Sequence, residues 1–87
     1  MAQVLLPQAL VRLFPGAPRA LDVVAADVGA AIDALDARWP GMRDRLVDST
    51  PAIRRHLNVF VDGARAGLYT PLRPDAEMLV TTAMSGG

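Results

Sequence analysis

One stretch of this sequence is periodic as a helix, and it is closed at both ends. Val28, Ala31, Ile32, Leu35 and Trp39 follow one another at helical spacings and make a single apolar stripe. Asp27 stands where an N-cap belongs, and Pro40-Gly41 stops the run. Gly29 interrupts the first turn at a cost of about 1 kcal/mol relative to Ala, and a close helix–sheet approach is the one reason the sequence offers for it. With a single main helix available, the remaining apolar residues have to be covered by strands.

The strands read from alternation and from turn residues. Gln3–Leu6 is a short strand ended by Pro7, which has no N–H to give to a ladder. A looser stretch with Pro15-Gly16 and Pro18 leads into Arg19–Val24, a second strand paired hairpin-fashion with the first. After the helix, Met42–Val47 is a further helical turn and Asp48–Pro51 a polar loop. Leu57–Asp62 alternates cleanly, Asp62-Gly63 is a hairpin signal, and Ala64–Leu68 returns as a short strand. Thr70-Pro71-Leu72 and Pro74-Asp75 mark turns, and Glu77–Thr82 is the last strand, with Met78 and Val80 on one face and Leu79 and Thr81 on the other. The order predicts an α+β fold, a mixed sheet of about five strands with the helix laid across one face. Its core should hold Val4, Leu6, Ile32, Leu35, Val59, Val61, Met78 and Val80. The chain divides into a folded domain over 1–82 and a flexible tail over 83–87, since two glycines at an end give a folded state little.

Composition narrows the function. The 87 residues make one domain. The net charge of zero argues against nucleic acid as a partner, because phosphate binding needs a positive excess. There is no cysteine, hence no disulfide, thiol nucleophile or thiolate metal site. No run approaches the length of a membrane span and the start lacks a signal-peptide pattern, so neither membrane nor secretion is expected and the default compartment is the cytoplasm. All nine basic residues are Arg, so the α-amino group is the one acylable amine.

Candidate chemistry is sparse. His56, the single histidine, stands beside Arg54 and Arg55 with no carboxylate pattern that would make it a base or a metal ligand. Asp33 and Asp36 lie opposite the apolar stripe and read as solvated helix-face residues. Ser49, Thr50 and Ser85 have no His and acid partners at suggestive spacing, and the scattered glycines match no phosphate loop. The expectation is therefore no catalytic residue, no metal and no bound cofactor. Phe60 is different. If Val59 and Val61 face the helix, Asn58, Phe60 and Asp62 take the uncovered face. With Leu79 and Thr81 on the neighbouring strand, Phe60 forms a small patch suited to contact with a partner.

The stretches "LNVFVDG" (57–63), "TPLRPDAEMLV" (70–80) and the final "AMSGG" (83–87) together resemble the ubiquitin-like sulfur carriers of the MoaD/ThiS family, including the cysteine-biosynthesis carrier branch. The resemblance covers essentially the whole chain, with Pro74-Asp75 and Thr81-Thr82 as departures from the family pattern. It implies a β-grasp fold and a carrier whose working group is the Gly87 carboxylate. It further implies adenylation by a ubiquitin-activating-type enzyme that uses ATP, conversion to a thiocarboxylate, and delivery of sulfur to a biosynthetic enzyme for cysteine, a cofactor or another sulfur metabolite. A carboxylate is unreactive toward nucleophiles, so activation is required. Gly86 and Gly87, lacking Cβ atoms, suit threading through a narrow channel behind Met84 and Ser85. Three other readings stay open: the small subunit of molybdopterin synthase, a ubiquitin-like modifier joined to targets through Gly87, and a plain interaction domain.

Overall fold

The computed structural model describes residues 1–82, and in them the expected α+β architecture is present. The strands are β1 (Ala2–Leu5), β2 (Ala20–Val23), β3 (Leu57–Val61), β4 (Ala64–Arg65) and β5 (Glu77–Thr82). The helices are α1 (Gln8–Val11), α2 (Val28–Arg38) and α3 (Met42–Leu46). The sheet order is β2-β1-β5-β3-β4, with β1 and β5 parallel at the centre and every other pair antiparallel. This is the β-grasp arrangement: the first and last strands pair in the middle and the helix crosses one face. No helix among the described residues is long and apolar enough to cross a membrane.

Helix α2 forms where its stripe and caps place it. The Asp27 carboxylate accepts the Ala30 N–H at 2.8 Å. Val28, Ala31, Ile32 and Leu35 are fully buried. The other early N–H groups, which a helix leaves without internal partners, are met from outside: Val28 donates to the Thr70 carbonyl at 3.0 Å and Gly29 to the Leu68 carbonyl at 2.8 Å. This explains Gly29. A Cβ there would stand 3.1 Å from the Leu68 carbonyl oxygen, so the close approach is to a loop backbone and not to the sheet.

The same contact shortens the fourth strand. The expected strand over Ala64–Leu68 is reduced to Ala64–Arg65. Ala66 still donates to Val59 at 2.8 Å, but the segment beyond it turns its carbonyls to the α2 N-terminus, where helix donors compete better than a sheet edge. Asp62 and Gly63, both at positive φ (50° and 86°), make the tight hairpin turn that the Asp-Gly pair predicts.

At the other end of α2, Trp39 is half-buried at the C-cap beneath the Arg38 guanidinium, 4.7 Å from the ring centroid. Asp36 is not merely solvated. Its Oδ1 accepts the N–H groups of Gly41 and Arg43, each at 3.0 Å, and so stitches α2 to the start of α3. Asp33 pairs with Arg43 at 2.7 Å, partly exposed. Met42 and Leu46 of α3 enter the core, as do Leu10 of the unforeseen helix α1 and Leu68, Leu72 and Ala76 from the loops. Of the expected core, Val4, Leu6, Ile32, Leu35, Val59, Met78 and Val80 are buried, while Val61, beside the hairpin turn, is only half-buried.

Candidate functional site: the open sheet face and the end of strand β5

Residues directly opposite in paired strands share a face, so the register fixes what the open face displays. Leu5 lies opposite Ala20 and Leu79, Leu79 opposite Phe60, and Phe60 opposite Arg65. One row therefore crosses the sheet as Ala20, Leu5, Leu79, Phe60 and Arg65. Leu5, Leu79 and Phe60 are half-buried, in contrast to the buried Val4, Val59, Met78 and Val80 that face the helix. The next row toward the end of β5 pairs Asn58 with Thr81, and the Asn58 side-chain oxygen accepts from the Arg65 guanidinium. Phe60, Leu79 and Thr81 are thus brought together as expected. Leu5 belongs to the same patch, and the alternation of β1 with Val4 facing inward carried the signal for it.

Strand β5 carries the chain to the edge of this patch. Thr82 lies between two hollows. One, of about 490 Å³, is lined on the open-face side by Leu5, Pro7, Arg19, Leu79 and Thr81. The other, of about 170 Å³, lies toward α1 and is lined by Leu10, Leu13, Arg45, His56 and Leu57. The expected working residues Met84, Ser85, Gly86 and Gly87 lie outside the described residues. His56 is exposed and shares a hollow with Asp44, Arg45 and Arg54.

A five-stranded mixed sheet of this order, grasping one main helix, defines a small ubiquitin-like β-grasp protein. Solved structures bear this out along the whole chain. A chain of the Amycolatopsis orientalis BexX/CysO complex matches with a TM-score of 0.86 at 24% identity, covering 100% of both chains. Mycobacterium tuberculosis CysO matches with a TM-score of 0.85 at 23% identity, covering 97% of this chain and 100% of its own. SAMP1 from Haloferax volcanii, a small archaeal modifier protein, matches with a TM-score of 0.79 at 26% identity, over 99% and 98% of the two chains. No family model and no curated protein matches the sequence. These structural neighbours share the β-grasp fold that the MoaD/ThiS resemblance read from the sequence implies.

Proposed function

We propose that this chain is a ubiquitin-like sulfur carrier acting in the cytoplasm, a substrate of partner enzymes and not itself a catalyst. A partner of the ubiquitin-activating type transfers AMP from ATP to the Gly87 carboxylate, releasing pyrophosphate. A sulfur nucleophile then displaces AMP, leaving a C-terminal thiocarboxylate. A second enzyme takes the sulfur into cysteine, a cofactor or another metabolite. The observation that carries this reading is the union of two features: a β-grasp body that aligns end to end with a chain of the BexX/CysO complex, and a sequence that follows β5 with Ser85-Gly86-Gly87. The open-face patch of Leu5, Phe60 and Leu79 beside the end of β5 supports it, because a partner seated there would lie next to the residues it has to receive.

Similarity to small archaeal modifier proteins favours one alternative, a modifier conjugated to target amines through Gly87. Mass spectrometry of the protein purified from its native host tests both. The carrier gains the mass of one oxygen-to-sulfur replacement at its C-terminus, the modifier is found in high-mass conjugates, and finding neither form overturns both readings.

A further inference from the structure

The zero net charge of this chain hides a division into two poles. Strand register places Asp22, Gln3 and Glu77 in one row at the β5 start, with Asp62 and Asp75 close by and Arg73 as a nearby cation. At the other end of the sheet stand Arg19, ahead of β2, and Arg54, Arg55 and His56, ahead of β3, with Arg45 of α3 beside them. The Arg54 guanidinium is held in place, its Nε donating to the Asp44 carbonyl at 2.7 Å, and it lines one hollow of about 400 Å³ with Arg45 and His56. Two carboxylates lie in this region, Asp44 in the hollow and Asp48 near Arg54, and the second is occupied by the N–H groups of Thr50 and Ala52. Among the described residues, none of Arg45, Arg54, Arg55 and His56 forms an ion pair.

We propose that this basic pole, Arg45, Arg54, Arg55 and His56 flanking the end of β5, is a docking surface for an acidic patch on a protein partner. In the carrier reading, on which its biological role rests, that partner is an enzyme acting on Gly87. The six residues of β5 hold the poles about 17 Å apart, roughly twice the screening length at physiological salt. An approaching surface therefore feels one pole and not the cancelled sum, and a carboxylate cluster is steered to the end of the molecule that Thr82 occupies. His56 and Arg45 line the hollow that Thr82 closes, so such a contact brings the partner to the root of the working segment. A compact acidic protein patch fits better than nucleic acid, because an extended polyanion running along the surface would meet the acidic pole.

The test uses the full chain and a short oligoglutamate peptide as probe, followed by NMR at low and physiological salt. Shifts should concentrate at Arg45, Arg54–Leu57 and Arg19 and should weaken with salt. The double charge reversal Arg45→Glu with Arg55→Glu, both at exposed positions, should lower affinity by about tenfold or more. Reversing Arg38 and Arg73, an equal change in net charge, should leave affinity near that of the wild type. Shifts spread over the molecule, equal losses in the two double variants, no binding, or tighter binding of single-stranded DNA of matched charge would each overturn the proposal. Peptide binding at the basic pole in a protein that never acquires sulfur in its host would overturn the carrier reading and leave the docking surface standing. A thiocarboxylated protein with no peptide response would do the reverse.

Discussion

Asp48 shows how much a single half-buried side chain organises. Its carboxylate accepts the N–H groups of Thr50 at 2.9 Å and Ala52 at 3.0 Å, closing the loop between α3 and β3. Its pKa is held below the ordinary value of 3.8, first by the Thr50 side-chain hydrogen bond and then by the Thr50 N–H; desolvation opposes them, and the Ala52 N–H and the Arg54 charge add smaller lowering effects. A folded-state pKa below the unfolded one means stability present at neutral pH and lost as pH falls through the folded value. Asp48→Asn should therefore be less stable than the wild type at pH 7, and the gap should close in denaturation curves taken as pH descends past about 3.9. A gap independent of pH would mean that the carboxylate charge contributes nothing to the loop. Gly29 makes a second case at this scale. Gly→Ala inside an unobstructed helix gains about 1 kcal/mol, but here the new methyl meets a carbonyl held at 3.1 Å by its own hydrogen bond to Gly29. Gly29→Ala should lose stability, and a rise in melting temperature would show that the Leu68–Thr70 strap yields freely.

At the scale of elements, the parts legible in the sequence are those whose pattern and tertiary surroundings agree. The α2 stripe, its Asp27 cap, the alternation of β3 and β5 and the Asp-Gly turn each satisfy local preference and core burial together, and each lies where the sequence places it. The expected assignments fail where a distant partner decides. Four residues over Gln8–Val11 are too few to show periodicity, and they become helical because Pro7 opens the turn and Leu10 finds the core. Leu68 reads as strand but gives its carbonyl to a helix some forty positions earlier in the chain, a contact with no local signal. Asp36 reads as solvated because the N–H groups that its carboxylate accepts, those of Gly41 and Arg43, lie at and beyond the Pro-Gly break. The patch of Phe60, Leu79 and Thr81 was legible because face alternation is a local property. Its third apolar member, Leu5, needed the parallel pairing of β1 with β5 to bring it alongside. Leu35→Ala tests the best-read element. The side chain is fully buried, so truncation should cost about 2–5 kcal/mol, a large share of the total for a domain of this size. A loss within the error of a urea titration would mean that α2 does not anchor the core.

For the whole molecule, the proposed activity separates the body from the last residues, and two variants should divide along that line. Phe60→Ala removes a half-buried ring from the open face. It should destabilise far less than Leu35→Ala yet reduce thiocarboxylate formation in the native host, and a protein that unfolds instead would place Phe60 among the core residues. Deletion of Gly87 should be silent in the body, because a glycine at a chain end has no side chain to pack and gives a folded state little. Melting temperature and the NMR spectrum of residues 1–82 should match the wild type. Sulfur acquisition should nonetheless be lost. Removing one residue withdraws the carboxylate by about 3.5 Å, whereas a misplacement of roughly 1 Å can already cost a hundredfold in rate. Gly87→Ala keeps the carboxylate in place and sets a methyl group beside the carbon under attack, so it should slow activation by the native partner without abolishing the acceptor. If the shortened protein acquires sulfur at the wild-type rate in its host, Gly87 is not the working group, and a β-grasp body of this kind must then act through its surfaces alone.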